Sequence, residues 1–234
     1  MDLNDQLLLC FDSSTPAGSV ALVQAGDVVA EHILNVKKRS HSDYLMRFVD
    51  ELLEEANIEM SAIAALVVVV GPGSFTGLRV GLATVQGIAQ ALSLPIYPVS
   101  SLQAVAYANG PSDLPVVALI DARKQEVYAA NYLWVNGVPQ LQGCEQVVAP
   151  AMLLQLIQQR CYFVGNGATL YRELICETLS DFALLATTVN DVPRASAAGL
   201  LVVALGEEAS SVKAQELRPC YVRLSDAELQ QQKN

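Results

Sequence analysis

Leu7-Leu8-Leu9-Cys10-Phe11-Asp12 and Val116-Val117-Ala118-Leu119-Ile120-Asp121 are two apolar runs, each closed by an acid, that open the two halves of the chain in the same way. Each reads as an apolar strand ending in an acid. After Asp12 the pattern predicts a second strand from Ser19 to Val23, a turn at Ala25-Gly26-Asp27 and a third strand from Val28 to Ile33. After Asp121, Glu126 to Trp134 alternates as a strand, and Asn136-Gly137 is a two-residue hairpin signal.

A helix and a short buried strand then follow in each half. Ser40-His41-Ser42-Asp43 has the spacing of a capping box. The helix after it carries Leu45, Phe48, Val49, Leu52 and Leu53 on one stripe and acids on the other. Leu66 to Val70 reads as a parallel strand entering the glycine run Gly71-Pro72-Gly73-Ser74-Phe75-Thr76-Gly77. In the second half, Ala151 to Gln159 is the predicted helix, Tyr162 to Val164 the strand, and Gly165-Asn166-Gly167 the turn. Ser196 to Glu207 has helical periodicity. Two βββαβα halves define an α/β fold of the actin-like ATPase (ASKHA) superfold, with lobes expected at 1–109 and 110–224 and a polar tail at 225–234. Fold pattern alone assigns no activity.

The chain has 234 residues, a hydrophobic fraction of 52% and a formal net charge of −10. No apolar run approaches the roughly 18 residues that a membrane span needs, so no membrane contact is expected. Met1-Asp2-Leu3-Asn4-Asp5 carries acid where a targeting peptide carries base, which predicts a cytoplasmic protein. The five cysteines are scattered, without a Cys-x-x-Cys pair, and read as reduced, mostly buried thiols. The negative charge opposes a phosphate backbone, so the chain alone is expected to bind nucleic acid poorly.

Asp12, Ser13 and Ser14 sit where this superfold presents hydroxyls and backbone N–H groups to a nucleotide phosphate. They equally fit a capped tight turn before Pro16. Asp121 and the Gly165, Asn166 and Gly167 turn complete a vestigial nucleotide site, with Ala122 where close approach favours glycine. In the glycine run no lysine follows at P-loop spacing, and Thr76 takes the third glycine position of a dinucleotide fingerprint. Gly77 and Gly81 lie one turn apart and admit close approach of either the chain's own sheet or a partner helix. His41 is followed four residues later by Leu45 rather than by a second metal-ligating histidine, and no Gly-x-Ser-x-Gly elbow is present. No metal, cofactor or catalytic residue is expected. Small-molecule kinase or ATPase activity through Asp12 and Asp121, or peptidase activity on a partner, are the alternatives.

Gly71 to Gly81, with Phe11-Asp12-Ser13-Ser14, Asp121-Ala122-Arg123, Glu126-Val127-Tyr128 and Pro219-Cys220-Tyr221-Val222-Arg223, resembles the TsaB (YeaZ) family over nearly the whole chain. The resemblance implies a non-catalytic subunit of the machinery that forms N6-threonylcarbamoyladenosine at position 37 of tRNA. It implies pairing with a TsaD-like transferase, association of a TsaE-like ATPase, and a homodimer when the partner is absent. Carried onto this chain, the interface uses the helices Ser42 to Ala56 and Thr76 to Ala91. The expected contacts are Leu45, Phe48, Leu52, Gly73, Thr76, Gly77, Arg79, Val80, Gly81 and Thr84.

Overall fold

In the computed structural model, which describes residues 3, 5–35 and 44–223, the two apolar runs are the central strands of two five-stranded sheets. The first half contains β1 (Leu8–Asp12), β2 (Ala17–Gln24), β3 (Asp27–Asn35), α1 (Leu45–Ala56), β4 (Ala65–Gly71), α2 (Phe75–Leu92), β5 (Ile96–Ser100) and α3 (Ser101–Ala108). The second contains β6 (Val116–Asp121), β7 (Val127–Val135), β8 (Val138–Val148), α4 (Pro150–Leu154), β9 (Cys161–Val164), α5 (Asn166–Leu170), α6 (Arg172–Leu179), β10 (Ala183–Leu185) and α7 (Ala195–Leu205). The sheet orders, β3-β2-β1-β4-β5 and β8-β7-β6-β9-β10, are the same topology twice. Each central strand pairs antiparallel with the next strand and parallel with the one after the helix. This is the two-lobed, actin-like α/β architecture.

Because side chains alternate along a strand, each central strand feeds two cores. Leu9 and Phe11 pack with α1 and α2, whereas Leu8 and Cys10 pack with α7 on the other face. In the second sheet, Ala118 and Ile120 pack with α3, and Val117 and Leu119 with α4, α5 and α6.

The helix assignments do not respect the boundary expected between residues 109 and 110. Leu102, Val105 and Ala106 of α3 belong to the core of the second sheet. Conversely, Ala195, Ala198, Leu201 and Val202 of α7 cover the first sheet, Val212 forms a bridge with Ile96, and Leu217 joins the core beneath α1 and α2. Each half of the chain therefore lends a helix to the other, and α3 and α7 meet between the sheets. Apolar periodicity signals that a helix is buried, but not against which sheet.

Two local expectations also change. The helix predicted to Gln159 ends at Leu154, because Leu156 turns outward at 69% exposure and the apolar stripe stops. Only Cys10 and Cys161 are buried, while Cys144, Cys176 and Cys220 are exposed. The capping box at Ser40 to Asp43, His41 and the tail 225–234 lie outside the described residues. Among the described residues no helix is long and apolar enough to cross a membrane.

Candidate functional site

The β1–β2 turn is fastened to the start of α2. Ser74 caps that helix by accepting a hydrogen bond from Gly77 N at 3.2 Å, while its own N–H donates to Ser14 O at 2.7 Å. The Ser13 hydroxyl donates to Gly77 O at 2.8 Å, and Asp12 Oδ1 accepts from Ser14 N at 2.9 Å. A Cβ at Gly73 would strike Ser14 O, one at Gly77 would strike Ser13 O, and one at Gly81 would strike the Ser13 hydroxyl. Of the two readings of the glycine run, the intrachain one is what the fold uses at these positions.

Asp12 is fully buried beneath this turn, and its Oδ2 makes no hydrogen bond. Burial raises its pKa to about 7, the Ser14 side chain and N–H draw it partly back, and the charge of Glu31 adds to the rise. The carboxyl does not line the cleft between the lobes, nor does Ser13.

The β6–β7 turn is built differently. Asp121 Oδ1 accepts from Arg123 N at 2.9 Å, its Oδ2 lies 3.7 Å from Arg123 Nε, and its N–H donates to Asn166 Oδ1 at 2.9 Å. Arg123, Lys124 and Gln125 hold consecutive left-handed φ values of 61°, 54° and 61°, a conformation that costs L-residues energy. Ala122 is buried in the core of the second sheet and also borders the cleft between the lobes.

Between the turns lies a cleft of about 390 Å³, bounded by Ser14, Gly73, Ser74 and Phe75 on one side and Asp121, Arg123 and Asn166 on the other. Of the nucleotide-site set, Ser14, Asp121 and Asn166 face this space. Gly165 and Gly167 instead press against the backbone of Leu119, where a Cβ would not fit.

The segment Cys220–Arg223, to which sequence reasoning gave no role, also lines the cleft. Cys220 N donates to Val70 O at 2.8 Å, and Tyr221 stacks on Phe75 with ring centroids 4.5 Å apart. Arg223 donates to Ala122 O at 2.8 Å and pairs with Glu126. The segment has no regular secondary structure, so no periodicity marked it in the sequence.

Of the expected interface set, Leu45, Phe48 and Leu52 are core residues of the first lobe, so their side chains reach no partner. Thr76 and Arg79 are exposed, and Val80 and Thr84 are half-buried on the outer side of α2. His32 lies far from the cleft in its contacts, held by Glu51 at 3.3 Å and Glu55 at 3.1 Å of α1. Among the described residues no group of three or more His, Cys, Asp or Glu side chains is placed to hold a metal ion.

A family profile for TsaD, tRNA N6-adenosine threonylcarbamoyltransferase, matches residues 27–230. The tRNA threonylcarbamoyladenosine biosynthesis protein TsaB of Bacillus subtilis is 30% identical, over 94% of this chain and 96% of its own. The protein of the same name in Haemophilus influenzae is 32% identical, over 92% and 93% respectively. Among solved structures, YeaZ from Pseudomonas aeruginosa superposes with a TM-score of 0.78 at 32% identity, covering 92% of this chain and 99% of that one. With the glycine run and the duplicated sheet in place, these likenesses show that the chain belongs to the TsaB (YeaZ) family of tRNA threonylcarbamoyladenosine biosynthesis proteins.

Proposed function

We propose that the chain acts in threonylcarbamoyladenosine formation as a non-catalytic subunit that docks on a TsaD-like transferase through the outward faces of α1 and α2. The observation that carries this reading is the burial of Asp12. An acid that serves phosphate chemistry in an actin-like cleft must reach the ligand, and this one is sealed beneath its own turn with a pKa near neutrality.

The docking surface lies on the sides of the helices opposite the core. On α2, Ala83, Gly87 and Ala91 are exposed at four-residue spacing, and nothing lies within 4 Å of a Cβ placed at Gly87. Small residues on one stripe let a second backbone approach closely. Arg79, Val80 and Thr84 flank the stripe, and α1 adds Met46, Arg47, Asp50 and Glu54. Leu45, Phe48, Leu52, Gly77 and Gly81 support this surface from within.

In the same proposal, a second copy of the chain occupies the surface when the transferase is absent, and a TsaE-like ATPase joins the assembled pair. The cytoplasm is the site of action. The net charge of −10 leaves tRNA contact to the other subunits. Gly87→Arg tests the reading. Copurification with the TsaD-like partner is expected to disappear while the melting temperature of the isolated chain stays within about 2 °C of wild type. Retained pairing would overturn the assignment of this face.

A further inference from the structure

The C-terminal segment reaches the cleft only after α7 has covered the first sheet, and it then touches both lobes within four residues. At one end it is seated in the first lobe. Cys220 N bonds Val70 O, and Gly71, at φ 118°, leaves no room for a Cβ because the Cys220 carbonyl lies against it. Tyr221 stacks on Phe75, the first residue of α2, and its hydroxyl accepts from Arg79 Nε at 3.1 Å. The Arg79 guanidinium carbon sits 3.9 Å from the Phe75 ring centroid. One aromatic ring is therefore held by a cation from its own helix and by a tyrosine from the segment that follows α7.

At the other end the segment is seated in the second lobe. Val222 packs against the core that contains Ala122 and Tyr128. Arg223, 16% exposed at its side chain, joins Ala122 O and the Glu126 carboxylate, the two ends of the strained β6–β7 turn. A hydrogen bond from Ala122 N to Glu126 O closes the same turn at 3.0 Å. A third tie runs through Glu145 of β8. Its carboxyl accepts from the Ser100 hydroxyl at the start of α3 and lies 3.8 Å from Cys220 Sγ.

We infer that Cys220–Arg223 is a built-in strap that runs along one wall of the cleft and fixes the lobes in one arrangement. It does so by bracing the first turn of α2 and the β6–β7 turn at the same time. A half-buried Arg pair that also bonds a backbone carbonyl is stronger than an exposed surface pair. The stacking of Tyr221 adds an aromatic contact on the opposite lobe. The strap concerns the isolated chain and shares only Arg79 with the proposed docking face.

Hydrogen exchange on the full chain tests it, comparing wild type with Tyr221→Ala/Arg223→Gln. Amides of residues 77–79 and of residues 122–126 are expected to exchange about tenfold faster or more, because both turns lose their brace, while those of β1 and β6 keep wild-type rates. Wild-type rates in either turn would overturn the strap. Should the double variant fail to fold, Tyr221→Phe and Arg223→Lys replace it. The first is then expected to loosen 77–79 and the second 122–126, and unchanged rates in either case count against the proposal.

Discussion

The β1–β2 and β6–β7 turns occupy the same place in the two copies of one topology, and they have been put to opposite uses. The first has an acid that no solvent reaches, a serine hydroxyl spent on the carbonyl of Gly77, and a long helix drawn in by glycines. The second has an acid partly open to solvent, an arginine exposed at 74% of its side chain, and a helix of only five residues behind it. The two halves share a strand order without sharing a ligand face. An acid at the end of a central strand is thus a topological marker here, and its chemistry depends on how closely the following helix approaches.

The sealed turn is the easier of the two to break. Gly81→Leu drives a side chain into the Ser13 hydroxyl, and overpacking of this kind costs about 1–3 kcal/mol. The urea midpoint should fall accordingly, whereas Gly87→Leu on the open side of the same helix should leave it unchanged or slightly raised. Equal effects at both positions would erase the distinction between the inner and outer faces of α2.

Asp12→Asn sharpens the comparison through pH. The folded-state pKa of about 7 lies above the ordinary 3.8, so the folded chain holds more protons than the unfolded chain between those values. Wild-type stability should therefore decline as pH rises from about 4 to about 7 and level off above. The asparagine variant lacks this loss. Its advantage should be absent near pH 4 and reach at most about 4 kcal/mol above pH 7, measured by denaturant unfolding across the range. A constant difference across that range would mean that Asp12 is ionised when folded.

The smallest effect belongs to the open turn. Arg123→Ala removes an exposed side chain whose ion pair with Asp121 spans 3.7 Å, and stability should stay within about 0.5 kcal/mol of wild type. A larger loss would show that the left-handed run depends on this arginine.

The sheets were legible in the sequence because strand chemistry is local. The apolar runs before Asp12 and Asp121, the Asn136-Gly137 hairpin and the stripe on α1 state their structure without reference to distant residues. The stripe on α1 was also misplaced as a docking surface, since Leu45, Phe48 and Leu52 satisfy the same periodicity whether they meet a partner or their own sheet. Gly77 and Gly81 posed the same ambiguity, which only the position of Ser13 resolves. The burial of Asp12 was hidden for a related reason, because it depends on α2 closing over the turn from more than sixty positions away. Cys220–Arg223 gave the weakest signal, having neither helix nor strand to announce it.

The exchange of α3 and α7 has a consequence for synthesis. A ribosome that has released only the first hundred residues has made every strand of the first sheet but none of the helix that shields its inner face. Leu8, Cys10 and Val67 gain their cover only once residues 195–205 have been made. The inner face of the first sheet is thus completed by a helix from the second half of the chain.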